Sequence, residues 1–162
     1  MQTETICNEK FRPLSKGEKQ IFIVDDDESI CRALKTLMAT YGFAVRTFLS
    51  AEEFFSAIPN NVSGCLILDI LLPGLEGFEA QERLLKSGSN RPVIMMTGNK
   101  NNGFRERALK SGVAGFLQKP FHDQELILLI NQAMQMNRKM NQFDEDLKRG
   151  ERRVTVGSMS FS

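Results

Sequence analysis

A chain of 162 residues, 41% hydrophobic and 25% charged, has the length of one domain with appendages and the composition of an ordinary soluble protein. Lys and Arg number 21 against 20 Asp and Glu, and the resulting net charge of +1 argues against a protein that coats nucleic acid. The longest apolar runs are four or five residues, such as 21–24 and 126–130, far short of the roughly 20 residues of a membrane span, and residues 1–20 lack the apolar core of a secretory signal.

The cysteines, Cys7, Cys31 and Cys65, are odd in number and have no paired spacing, so they suggest neither a disulfide framework nor a zinc site. They fit a reducing cytosol, and the expected location is cytoplasmic. A single histidine, His122, excludes a multi-histidine metal centre.

Residues 1–19 are polar and aperiodic and read as a flexible extension. Residues 21–24 then form an apolar run that stops at Asp25-Asp26-Asp27, the pattern of a strand buried on both faces. In residues 28–41, Ile30, Leu34, Leu37 and Met38 share one helical face, and Gly42 stands at the C-cap position. Strand-like residues 43–48 follow. Ser50 and Glu53 have capping-box spacing at the head of a short helix carrying Phe54 and Phe55. Residues 65–68 and 93–96 are further buried strands, separated by a helix over 78–86 that stops at Ser87-Gly88. A weaker helix over 102–111 leads to a fifth strand at 113–117, and Asp123 is expected to cap a fifth helix. Strict β-α alternation predicts an α/β fold, a five-stranded parallel sheet doubly wound by helices as (βα)5. The domain is expected to occupy 20–137, with 138–162 a helical linker or tail.

In such open sheets ligands bind at the carboxyl ends of the strands. There the chain carries Asp25 and Asp26, Asp69, Thr97 and Lys119. No glycine-rich phosphate loop occurs anywhere in the sequence. Clustered carboxylates repel unless a cation lies between them, and oxygen ligands on a rigid scaffold suit Mg²⁺. A carboxylate can also attack phosphorus, and phosphoryl transfer needs a metal, an ammonium and a hydroxyl donor about the charged oxygens. Taken singly, an acidic run is often a solvated loop and Lys119 a surface lysine. Four strand ends carrying complementary groups are not explained that way.

Val24-Asp25-Asp26-Asp27, Leu68-Asp69-Ile70-Leu71-Leu72-Pro73-Gly74-Leu75-Glu76-Gly77, Met96-Thr97-Gly98 and Gln118-Lys119-Pro120-Phe121 resemble the signature segments of the response-regulator receiver domain of two-component systems, the CheY-like, flavodoxin-like fold. The resemblance spans about 20–136. It is greatest to receivers of the nitrogen-fixation type, through Tyr41-Gly42-Phe43-Ala44-Val45-Arg46, Ser50-Ala51-Glu52-Glu53-Phe54 and Phe116-Leu117-Gln118-Lys119-Pro120-Phe121. It implies that Asp69 accepts a phosphoryl group from a sensor histidine kinase. It further implies that Mg²⁺ is held by Asp26, Asp69 and the Leu71 carbonyl, with Asp25 acting through water. Thr97 and Lys119 would contact the phosphoryl, Lys119 pairing with Asp69 beforehand, and the Lys119–Pro120 peptide would be cis. Thr97 and Phe116 would act as switch residues, Phe116 rotating inward to alter the face formed by the fourth helix, fifth strand and fifth helix for homodimerisation or partner binding. The chain would be no enzyme beyond its own phosphorylation and dephosphorylation.

Leu71 is apolar where the family often has a polar residue, and Asn99 lies two past Thr97; both sites tune phosphate loss, and an apolar Leu71 implies slow self-hydrolysis. Leu126, Leu129, Ala133, Met136, Met140, Phe143 and Leu147 are spaced 3-4-3-4-3-4, an a/d seam. Its first half would pack on the sheet and its second half, past 137, would pair with another chain or stand as an amphipathic tail. Residues 147–154 weakly resemble the opening of a LuxR-type helix-turn-helix domain, without a recognition helix, so no nucleic-acid binding is expected of this chain. The rivals are a degenerate receiver serving as a scaffold, the receiver part of a truncated transcription regulator, a haloacid-dehalogenase-type phosphohydrolase and a flavodoxin-like carrier. The third lacks its second aspartate, Leu71 standing in that place, and the fourth lacks its phosphate loop.

Overall fold

The computed structural model describes residues 18–100 and 102–150, the side chains of 102, 138, 140 and 141 excepted. The elements alternate as expected: β1 (Lys19–Val24), α1 (Glu28–Thr40), β2 (Phe43–Phe48), α2 (Ala51–Ala57), β3 (Cys65–Asp69), α3 (Gly77–Lys86), β4 (Val93–Thr97), α4 (Asn102–Lys110), β5 (Gly115–Gln118) and α5 (Asp123–Lys148). The five strands are parallel, in the order β2-β1-β3-β4-β5. Most of the extension over 1–19, and residues 151–162, lie outside the described residues.

Alternate strand residues feed two separate cores, because successive side chains point to opposite faces. Phe22, Val24, Leu66, Leu68, Val93 and Met95 pack with Phe54, Phe78, Leu84 and Ala108 under α2, α3 and α4. Ile21, Ile23, Cys65, Ile67, Ile94 and Met96 pack with Leu34, Met38, Leu126 and Ile130 under α1 and α5. Burial on both faces is why β1, β3 and β4 read as continuous apolar runs. On the α2–α4 side Arg91 is buried against Phe22 and Phe54, 5.3 Å from each ring centroid, and one guanidinium nitrogen donates to the carbonyls of Pro59 (3.0 Å) and Val62 (2.6 Å).

Several boundaries move for local reasons. Lys19 and Gln20 extend β1 by pairing with Phe43 and Ala44, and the Gln20 amide donates to the Ala44 carbonyl at 3.0 Å. Val113 precedes β5, which runs from Gly115 to Gln118. Ser50 caps α2 as expected, accepting from Glu53 N at 3.1 Å, but the Glu53 carboxylate reaches Leu49 N (3.2 Å) rather than the cap residue itself. Asp123 does not cap α5. His122 is the cap, with extended backbone, and Glu125 reaches back to its N–H at 3.1 Å, so Asp123 is the first helical residue. The helix then continues for 26 residues to Lys148.

Candidate functional site

Asp25 and Asp26 follow β1 directly, Asp69 ends β3, Thr97 ends β4 and Lys119 follows β5, so the strand order converges them on one edge. Carboxylate oxygens of Asp25, Asp26 and Asp69 all lie within 4.8 Å of one another. Asp25 and Asp69 are buried and Asp26 is exposed. The Lys119 ammonium bridges the two buried groups, 2.7 Å from Asp25 Oδ2 and 3.3 Å from Asp69 Oδ2. The expected Asp69 pairing is therefore present, but the shorter bond goes to Asp25, the more buried partner.

The third aspartate of the run leaves the site. Asp27 caps α1, accepting from Ser29 N (2.9 Å), Ser29 Oγ (2.6 Å) and Ile30 N (3.3 Å), and these bonds hold its carboxyl below the usual carboxylate range. Its own N–H donates to Asp25 Oδ1 at 2.9 Å, which orients that carboxylate. Asp69 Oδ1 in turn accepts from Leu71 N at 3.2 Å. Leu71 itself is exposed.

Thr97 and Lys119 are locked together through backbone. Lys119 N donates to the Thr97 carbonyl at 2.7 Å, the Gln118 amide adds a second bond to that oxygen at 3.1 Å, and the Lys119–Pro120 peptide is cis. The buried Thr97 hydroxyl accepts from Asn99 N at 3.1 Å. Phe116 is already buried, rather than waiting to rotate inward, with the Arg105 guanidinium 5.6 Å from its ring centroid. It lines a cleft of about 580 Å³ between α4, β5 and α5, with Arg105, Lys119, Leu128 and Leu129.

Two contributors, Glu52 and Gln118, were assigned no such role from the sequence. Glu52 on α2 accepts from Leu75 N at 3.1 Å and latches the loop after Asp69. Gln118 fixes the Thr97 carbonyl. Gly77 admits α3 so closely beneath the site that a Cβ there would lie 2.5 Å from the Asp69 carbonyl oxygen and 2.7 Å from Ile70 Cα. Gly74 has φ +75, a left-handed turn that glycine adopts freely. The Glu52 and Gln118 contacts join residues more than twenty apart in the chain, so no local pattern announces them.

Burial and the neighbouring Asp25 charge push the Asp69 carboxyl up to about 6, against the opposing pull of Lys119. Burial alone would lower the Lys119 ammonium, but its bonds and proximity to Asp25 and Asp69 outweigh that and raise it. Two buried carboxylates thus share one ammonium, with the exposed Asp26 carboxylate beside them. An all-oxygen donor set with surplus negative charge fits a hard divalent cation such as Mg²⁺.

A buried carboxylate at a strand end, paired with an ammonium and grouped with two further carboxylates, marks the carboxyl edge of this parallel sheet as the site. The family described as the response regulator receiver domain matches residues 21–131, and the chain belongs to it. It is 32% identical over 130 residues to the response regulator protein TodT of Pseudomonas putida, covering 80% of this chain and 57% of that protein. It is 35% identical over 114 residues to the transcriptional regulatory protein FixJ of Bradyrhizobium diazoefficiens, covering 70% and 56%. The chain therefore spans little more than half the length of these curated relatives. The solved structure of the response regulator StyR superposes with a TM-score of 0.75 at 35% identity, covering 81% of this chain and 66% of that one. No helix among the described residues is long and apolar enough to cross a membrane.

Proposed function

We propose that this receiver domain takes a phosphoryl group from the phosphohistidine of a sensor kinase onto Asp69. An Asp69 carboxylate oxygen attacks phosphorus, the P–N bond to the histidine breaks, and the imidazole leaves with the bonding pair. Asp26, Asp69 and the Leu71 carbonyl would hold Mg²⁺ directly and Asp25 through water; the ion supplies charge neutralisation for the phosphoryl oxygens. Lys119 neutralises Asp69 before transfer and a phosphoryl oxygen after it. The Thr97 hydroxyl donates to another oxygen. The domain works on its own aspartate alone, in the cytoplasm, and is no enzyme toward other substrates.

The observation that carries this reading is the Asp25–Lys119–Asp69 bridge at 2.7 and 3.3 Å, with Asp26 beside it. Its consequence is a population shift on the α4–β5–α5 face, where Thr97, Phe116 and the cleft meet, toward a homodimer or partner complex. Because Phe116 is already inside, the shift consists of fixing that placement rather than creating it. The test is intact mass and light scattering with acetyl phosphate and Mg²⁺, on wild type and Asp69→Ala. The expected result is an adduct present only in wild type, with a rise in oligomer mass. Tight Mg²⁺ binding without an adduct would overturn the reading in favour of a constitutive scaffold. A second reading, the receiver part of a transcription regulator, is favoured by the 56% coverage of FixJ, itself a transcriptional regulatory protein.

A further inference from the structure

The outer half of α5 presents an apolar stripe that the sheet does not use. Its sheet-facing residues are Leu126, Ile130, Ala133 and Met134, all buried, and no apolar side chain described beyond Met134 is buried. The helix nevertheless runs to Lys148, about 21 Å further at 1.5 Å per residue. Along that length Met136, Phe143 and Leu147 are 62%, 58% and 47% exposed. Their spacing places them on one line with the half-buried Leu129, and Met140 takes the intervening position by sequence.

The charges beside this line identify the occupant. In the heptad frame with Met140 and Leu147 at a and Met136 and Phe143 at d, Lys139 falls at g and Asp144 at e, both exposed. In a parallel pair, g of one helix faces e of the next heptad in the other, so Lys139 meets Asp144 of the second copy, twice by symmetry. In an antiparallel pair Lys139 would instead face Asp146. That carboxylate is buried and already held within its own helix by Gln142 (3.2 Å) and Arg149 (2.8 Å). We propose that α5, past Met134, forms a parallel two-stranded coiled coil with a second copy of this chain, independently of phosphorylation. So short a seam buries less than the roughly 1,200 Å² of a standard interface, so the association is weak and standing, and it holds two receivers near each other before any signal arrives.

The test uses Asp69→Ala protein, so that it is separate from the phosphoryl-transfer reading. Sedimentation velocity from micromolar to millimolar protein should show reversible dimerisation. Met136→Gln with Phe143→Gln, both at exposed positions that leave the fold intact, should weaken it about tenfold or more. Asp144→Lys alone should weaken it, and Lys139→Glu combined with Asp144→Lys should restore it. A monomer throughout the range, or a dimer indifferent to the seam substitutions, would overturn the proposal. A charge swap that fails to restore association would overturn the parallel arrangement.

Discussion

Replacing Asp69 by Asn should stabilise the metal-free fold at neutral pH, although it removes half of an ion-pair bridge. Asn is isosteric and keeps an oxygen for Leu71 N, while Lys119 keeps its shorter bond to Asp25. What disappears is the penalty on the Asp69 charge. Its carboxyl stands at about 6 in the folded chain against an ordinary 3.8. At about 1.4 kcal/mol per pH unit the difference is worth about 3 kcal/mol, and relaxation and solvent access reduce the expected gain to roughly 1–2 kcal/mol. Below pH 3.8 the group is neutral in both states and contributes nothing. Between 3.8 and about 6 the folded chain holds a proton that the unfolded chain releases, so wild-type stability falls as pH rises. Above about 6 the penalty is complete. Urea unfolding in EDTA, from acid to neutral pH, should show the two proteins converging at low pH and the Asn variant ahead at neutral pH. Millimolar Mg²⁺ should then favour wild type. An Asn variant that is less stable at neutral pH, or a gain unchanged by pH, would refute the assignment of Asp69 as the strained charge.

Gly77→Ala should cost roughly 1–3 kcal/mol in urea unfolding and slow adduct formation, because the added Cβ meets backbone of Asp69 and Ile70 that cannot swing away. Leu71→Asn should speed phosphate loss several-fold in a mass-spectrometric time course, since an exposed polar side chain beside Asp69 can orient water where leucine cannot; an unchanged rate would count against slow self-hydrolysis. Arg91→Met should destabilise by about 2–3 kcal/mol by losing two charge-assisted bonds to Pro59 and Val62, yet leave adduct formation unchanged. A matching loss of phosphorylation would show that the far side of the sheet is coupled to the site.

The alternation of elements was legible because strands buried on both faces and helices with one apolar face leave different periods. The convergence of Asp25, Asp69, Thr97 and Lys119 followed from a topological rule, which needs only strand ends. Finer distinctions did not follow. Asp25, Asp26 and Asp27 are the same residue type in succession, and only the start of α1 separates a site carboxylate from a helix cap. The Lys119–Asp25 bond joins residues 94 apart in sequence, and its length relative to the Asp69 bond depends on burial that no local pattern encodes. The heptad seam was visible in α5, but its rotation was not. Leu126 and Ala133 reach the core while Met136 faces out, because the sheet takes the neighbouring stripe through Ile130 and Met134.

The same geometry explains why a charge change at Asp69 has a direction in which to travel. On the proposed reading, phosphorylation exchanges one carboxylate charge for a group carrying about −1.5 to −2, beside Asp25, whose carboxylate is buried and already fixed by Asp27 N. The carboxylates cannot separate, since each ends or follows a strand of the central sheet with apolar packing on both faces. The Lys119 ammonium can move, being the end of a flexible side chain shared between two partners. Its backbone, however, is bonded to Thr97 and follows directly on β5, three residues from Phe116. Redistribution of that one ammonium therefore loads the β4–β5 edge rather than the β1–β3 centre. The α4–β5–α5 cleft lies at that edge, so on the proposed reading the rigidity of the middle of the sheet is what makes its edge responsive.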